Sequence, residues 1–513
     1  MQLSLFDGNK QFKIYKPIRL IELFAGYGSQ HFALEYLGVP FESWKICEWA
    51  VKSIQAYKDA HFKNDNIDYS KRLSHYEIVQ YLTNKGISAN YNEPMKEKQI
   101  IHLGEQKART IYNNIMATHN LVNIQQVKGK DLDIIDTDKY CYIMTYSFPC
   151  QDLSLAGLGK GMEKGSGTRS GMLWEVERIL NEIVLEGGQL PQVLVMENVP
   201  EVVGTKNVKH FAKWVQKLEE LGYKNKHEIL NSKDFGVPQN RERCFMVSIL
   251  GDYYYDFPKT QKLKLELKDL LEENVDEKYY LSDKQQTYAF DMEDVALSSG
   301  RDISNSKVNQ KIAKTISCRG ATEQRADVTN FIIDGIENEV KVSELKRYLQ
   351  ENLKTKLCNK LVKESLVSEG DVIRHSYSNN RLNNGEKNMG RIESKEHLCP
   401  TLDTRCDCLG VVVQDDYLGT YEYTKSDKFM GNKSRLKVDA KTLGTIQTKH
   451  QEGIVDKYLR IRKLTAKECF RLMGVKDEDF ENIAQNQSNA SLYHLAGDSI
   501  VVDVLCAIFK QMV

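Results

Sequence analysis

Apolar positions along the chain fall into short dense runs separated by amphipathic stretches. "IRLIELFAG", beginning at Ile18, is strand-like and ends in glycines, and "SWKICEWA" is a second such run that ends at Glu48. Between them "SQHFALEYLG" has helical spacing and closes on Gly38, so the pattern predicts a strand-helix-strand unit of about thirty residues. Two more strands are predicted at "YCYIMTYSF" and "QVLVMENV", each with polar residues at its C-terminal end. In an open α/β sheet that end is where ligands bind.

The pattern then changes twice. Residues 52–125 are polar, mostly helical in spacing, and carry no chemical motif, so they read as an insertion. From about 262 to 455 the chain is charged, and "AKTISCRGATEQRADVTNFII", "CPTLDTRCDCLGVVV" and "AKTLGTIQTKHQEGIV" echo one another. Each places a β-branched strand after polar or basic residues, which predicts a smaller, β-rich second domain. "RKLTAKECFRLMGV" and "HLAGDSIVVDVLCAIF" return to helical amphipathicity. The expected division is a tail at 1–17, a main domain at 18–261, a second domain at 262–455, and a segment at 456–513 that packs back on the first.

Composition narrows this picture only a little. At 513 residues the chain exceeds a single ordinary core. Lys plus Arg equals Asp plus Glu at 71 each, so any nucleic acid must be met by local basic clusters. Eleven scattered cysteines, no signal peptide and no apolar run of bilayer-crossing length predict a cytoplasmic protein with free thiols.

The chemistry is concentrated in a few windows. "LFAGYGS" places Gly26 and Gly28 between a strand and a helix, where backbone can pass close to a ligand. His31 stands where the third glycine of a dinucleotide fingerprint would be, which argues against NAD. Glu48 could accept from ribose hydroxyls, and Trp49 could lie against a purine or simply fill the core. "SFPCQDLS" puts Cys150 in a strand-end turn stiffened by Pro149. Such a turn can lower a thiol's pKa and expose it, although this window alone leaves a structural cysteine open. "VMENVP" brings Glu197 to a neighbouring strand end, and "GVPQNRERC" alternates Arg241 and Arg243, which on an extended segment point to one face. Cys399, Cys406 and Cys408 lack a clear fourth ligand, so no metal site is predicted.

In order along the chain, "LFAGYGS", "CEW", "GKDL", "SFPCQDLS", "RSGMLWEVERIL", "MENV", "QNRER", "RKLTAKECFRLMG" and "AGDSIVVDVL" resemble the motifs of cytosine-5 DNA methyltransferases. The resemblance implies a Rossmann-like methyltransferase fold, with residues 262–455 as the target-recognition domain. It implies S-adenosylmethionine as cofactor, surrounded by Phe24, Ala25, Gly26, Gly28, Glu48, Trp49, Asp131, Leu132, Leu173 and Asp498. In that reading Asp131 accepts from the adenine amine and Glu48 takes the ribose. Cys150 is the nucleophile, Glu197 acts at cytosine N3, Arg243 contacts the base carbonyl and Arg241 supports it. Pro149, Gln151 and Ser154 belong to the nucleophile loop, and the segment from Gln151 to Arg169 resembles the loop that closes over an extruded base. One departure is Asp498, where the family usually has Asn: it keeps an acceptor and loses the amide donor.

The implied partner is double-stranded DNA, met in part by Arg319, Arg325, Arg374, Arg381, Arg391 and Arg405. A restriction endonuclease acting on the same site is a further implied partner. The tail Gln2–Phe6 resembles peptides that insert into the bacterial sliding clamp, with Leu5 and Phe6 as anchors. The expected setting is the cytoplasm of a bacterial or phage-infected cell. A tRNA cytosine-5 methyltransferase shares the nucleophile motif, but the long segment before "RKLT" favours a DNA-reading domain. A non-catalytic DNA-binding relic is disfavoured by the presence of Cys150, Gln151, Glu197, Arg241 and Arg243.

Overall fold

The structure, a computed structural model, describes residues 10–149, 162–164, 169–279, 313–316, 331–334, 417–425, 432–438, 451–456 and 460–513. Cys150, Gln151, Ser154, the tail Gln2–Phe6, the cysteines at 399, 406 and 408, and the six arginines expected at DNA lie outside the described residues.

The dense apolar runs form a six-stranded sheet. Its strands are β1 (Ile18–Leu23), β2 (Phe41–Cys47), β3 (Cys141–Tyr146), β4 (Val193–Asn198), β5 (Tyr223–Asn231) and β6 (Glu242–Leu250). The spatial order is β2-β1-β3-β4-β6-β5. β2, β1, β3 and β4 are parallel, while β6 is antiparallel to both β4 and β5. β3 and β4 are buried at every position, as strands covered on both faces must be. The order reverses between β1 and β3, which opens a crevice at their C-terminal ends. This is a Rossmann-like methyltransferase fold. Because β6 runs against β4, its first residues lie beside the last residues of β4, with Cys244 opposite Asn198.

Helices α6 (Leu173–Leu185) and α7 (Val208–Glu220) share the sheet's core, and α1 (Ser29–Tyr36) packs on α10 (Val502–Lys510). Trp214 of α7 is fully buried and its indole donates to the Tyr146 hydroxyl at 3.1 Å. Cutting such a side chain to alanine costs about 3–5 kcal/mol. The insertion folds as α2 (Val51–His61), α3 (His75–Lys85), α4 (Glu97–His102) and α5 (Glu105–Ala117). It has its own core of Ile78, Leu82, Ile87, Ile100, Ile111 and Ile115. A capping box of Ser74 and Glu77 starts α3, and Gly86, at φ 69°, ends it.

The C-terminal segment amends one expectation. Asn489–Lys510 is long and apolar enough to cross a bilayer, yet 72% of its apolar window is buried in the fold. It breaks at Ser499 into α9 (Asn489–Asp498) and α10, with α8 (Asp477–Ala484) before it.

The chain divides into two compact units. One comprises Met1–Glu266, Thr315–Gly320 and Cys469–Val513; the other comprises Leu267–Lys314 and Ala321–Glu468. In the second, β8 (Tyr417–Lys425) pairs antiparallel with β9 (Asn432–Val438) and β10 (Gln451–Asp456). β7 (Phe331–Asp334) pairs antiparallel with β11 (Arg460–Lys463). Arg462 donates to both carboxylate oxygens of Glu468 at 2.9 Å, and the backbone N–H groups of Thr465 and Glu272 satisfy the same carboxylate. A buried pair needs that completion.

Candidate active site

A cavity of about 370 Å³ in the first unit lies over the C-terminal ends of β1 to β4. That volume suits a ligand the size of a modified nucleoside.

One end is built on the turns after β1 and β2. Phe24, at φ 61°, and Gly26, at φ 58°, both take left-handed backbone, and a Cβ on Gly26 would meet open space. The Glu48 carboxylate accepts from the Gly26 N–H at 3.0 Å and the Ala50 N–H at 2.7 Å. Its backbone is pinned by Asn120, which accepts from the Glu48 N–H and donates to the Glu48 carbonyl. Burial pushes Glu48 up to about 7; the surrounding N–H groups pull it back and nearby Asp498 pushes it further. Trp49 lines the cavity and also packs on the insertion's core. Asn123 and Ile124 complete this end. The set fits a nucleoside: a carboxylate for hydroxyls, an aromatic wall, and an open glycine where backbone and ligand can meet.

The other end is built on β3, β4 and β6. Glu197, 6% exposed, lies 3.1 Å from Arg243 Nε and accepts a short hydrogen bond from the Ser147 hydroxyl. Asn198 donates to the Phe148 carbonyl at 2.9 Å, tying the β4 end to the backbone that leads into Pro149. Pro149 also lines the cavity. The β4–β6 register explains the meeting of Glu197 with Arg243, since antiparallel pairing brings the start of one strand to the end of the other.

Several expected residues are placed elsewhere. Asp131 and Leu132 do not line the cavity. "GKDL" forms a 3-10 turn in which Asp131 accepts from the Lys128 N–H at 2.9 Å, while Leu132 is fully buried in the main core. Asn123 and Ile124, eight residues earlier in the chain, hold the cavity wall instead. Leu173 faces the core and its neighbour Met172 lines the cavity. Gly28 serves packing: a Cβ there would lie 2.3 Å from His61 Nε2 and 2.7 Å from Tyr57. Arg241 lines the cavity but spends its guanidinium on the carbonyls of Ile316, Gly497 and Ser499 at 2.7–2.9 Å. Its side chain therefore braces the "AGDS" turn. Asp498 lies at the cavity, 3.3 Å from His494 Nδ1.

Sequence reasoning missed Asn120, Asn123, Ile124, Ser147, Met172 and His494. The polar turn "HNLVNIQ" after an amphipathic helix was the available signal for the first three. Away from the cavity, His31, Glu35 and His61 hold ligand-type atoms within 4.8 Å of one another. The two imidazoles stack at 3.8 Å and 24°, so their in-plane lone pairs do not converge on one ion.

A family profile described as "C-5 cytosine-specific DNA methylase" matches residues 101–352 and 330–513. The orphan methyltransferase M.SssI of Spiroplasma monobiae is 39% identical over 272 residues, covering 52% of this chain and 68% of that protein. The Type II methyltransferase M2.ScrFI of Lactococcus lactis subsp. cremoris is 39% identical over 274 residues, covering 52% and 71%. Among solved structures, the Entamoeba histolytica methyltransferase EhMeth superposes with a TM-score of 0.49 at 12% identity, covering 97% of this chain and 98% of that one.

Proposed function

The chain belongs to the C-5 cytosine-specific DNA methylase family and transfers methyl groups from S-adenosylmethionine to carbon 5 of cytosine in double-stranded DNA; on that premise we propose how the cavity divides the work. The end at Gly26, Glu48, Trp49, Asn123 and Ile124 holds the cofactor, and the end at Glu197 and Arg243 takes a cytosine turned out of the duplex. The observation that carries this reading is that both sets line one continuous cavity.

Bound S-adenosylmethionine supplies an electrophilic methyl group on a sulfonium. The protein's part is to make cytosine C5 nucleophilic. The Cys150 thiolate adds to C6, forming a C–S bond, while Glu197 delivers a proton to N3, so that the ring electrons collect at C5. After transfer a base removes the C5 proton, the C–S bond breaks to regenerate the thiolate, and N3 returns its proton to the Glu197 carboxylate. Glu197 and the half-buried Arg243 hold each other, which keeps the buried carboxylate paired. N3 and O2 are adjacent acceptors on the cytosine ring, and a protonated Glu197 with Arg243 offers donors for both.

The second domain, 262–455, is the proposed reader of the target sequence. Protection of DNA, in a restriction–modification pair or a phage–host setting, is the proposed role, with a cognate endonuclease as the functional partner. The tail Gln2–Phe6 is the proposed contact with the sliding clamp. The proposed setting is the cytoplasm of a bacterial or phage-infected cell.

A duplex carrying 5-fluorocytosine in the target site, incubated with cofactor, should form a denaturation-resistant adduct with the protein. Cys150→Ser should form none and still bind cofactor. An absent wild-type adduct, with bisulfite sequencing having supplied the target, overturns the covalent mechanism.

A further inference from the structure

The helical insertion contributes to the cofactor end of the cavity as well as to its own core. Its loop between α3 and α4 is tied to the segment after Glu48: the Ser88 N–H donates to the Trp49 carbonyl at 2.8 Å and the Ser88 carbonyl accepts from the Val51 N–H at 2.9 Å. Asn90 Oδ1 accepts from the N–H groups of Asn92 and Glu93, and the Ser88 hydroxyl donates to the Glu93 carbonyl at 2.7 Å. Between these anchors Tyr91 takes left-handed backbone, φ 63°, which a bulky residue keeps only where its surroundings fix it.

The side chain of Tyr91 accounts for the fixing. Its ring stacks on His494 of α9, with centroids 4.3 Å apart and planes at 15°, and its hydroxyl lies 3.2 Å from the Ser53 hydroxyl. His494 lies 3.3 Å from Asp498, one turn further along α9. Tyr91, His494 and Asp498 line the cavity together with Glu48 and Trp49.

We propose that Tyr91 and His494 form a stacked clasp across the nucleoside end of the cavity, joining the insertion to the C-terminal helix and setting cofactor affinity. The proposal rests on the reading of that end as the S-adenosylmethionine site.

The test is calorimetric titration of the full chain with S-adenosylmethionine, alongside steady-state kinetics on a target duplex. Tyr91→Ala and His494→Ala should each weaken cofactor binding roughly fivefold. The double variant should add little, because the rings act as a pair. Tyr91→Phe keeps the stack and should restore most of the affinity. The loss should appear in KM for cofactor rather than in kcat. Should Tyr91→Ala prove unfolded on melting, His494→Ala, which leaves the loop intact, carries the same prediction. Wild-type affinity in a folded alanine variant, or an equal loss in Tyr91→Phe, overturns the clasp. Glu48→Ala separates the two readings. If it loses binding while the ring variants do not, the clasp alone is wrong; if it too binds normally, the cofactor site has been misplaced.

Discussion

The two ends of the cavity are held by different kinds of bond. At the proposed cytosine end Glu197 and Arg243 hold each other, side chain to side chain, from strands in register. At the proposed cofactor end Glu48 accepts from backbone N–H groups, and its own backbone is clamped by Asn120, 72 residues away. A pair of side chains can part to admit a base and close again afterwards. A carboxylate fixed by backbone cannot rearrange, so it presents a preformed acceptor. The difference suits a substrate that enters by leaving a duplex and a cofactor that must be gripped in one pose.

Glu197→Gln is the strongest way to break that comparison. The amide keeps the shape and cannot donate a proton to N3, so single-turnover methyl transfer should fall by about 10²–10⁴-fold. Cofactor affinity should stay near wild type. A Glu197→Gln enzyme that transfers methyl groups at the wild-type rate would remove the proton-donor role. Arg241→Ala sharpens the contrast with Arg243. Three carbonyls lose a charged donor, so the midpoint of denaturation should shift by a stability loss of about 3 kcal/mol. A rate loss at full stability would instead return Arg241 to the chemistry.

At the cofactor end the expected effect is smaller and depends on pH. Burial has pushed Glu48 up to about 7, and the ionised form is the better acceptor for two ribose hydroxyls. Cofactor affinity should therefore rise with pH, by up to about tenfold per unit on the acid side of 7, and level off above it. Glu48→Gln should bind more weakly at pH 8 and show a flat profile. A sloping profile in the Gln variant would assign the titration to another group.

How legible these ends were in the sequence follows from how they are built. Glu197 was readable because it closes a strand buried on both faces, and a dense apolar run with a polar end is a local signal. Glu48 and Gly26 were readable from the polar or glycine end of an apolar run, although the strand before Glu48 is half-buried over most of its length. Asn123 and Ile124 were not, because their place depends on the insertion folding so that Asn120 returns beside Ile46. "GKDL" has the right residue types, yet its aspartate is used within its own turn. The alternation of Arg241 and Arg243 was visible, but it could not show that one guanidinium meets carbonyls 256 and 258 residues further along.

The smallest effect concerns Glu22, in the strand that carries the cofactor turn. It is fully buried, and burial pushes it up to about 8, with the Tyr57 hydroxyl and the His31 backbone N–H pulling the other way. The folded protein thus holds a proton that the unfolded chain releases in the ordinary carboxylate range. This contribution to stability is complete below that range and is lost as pH rises through about 8. His31 and His61, both held neutral by burial, add their own pH dependence, but they remain in a Glu22→Gln variant and cancel in the difference. Wild type and Glu22→Gln should therefore melt close together at pH 5, and the variant should melt about 2–4 °C higher at pH 9. A constant gap across that range would mean that Glu22 keeps the same charge folded and unfolded, and that Tyr57 holds it as a carboxylate. The preformed rigidity of the cofactor end would then extend through the strand beneath it to an ionised residue in the core.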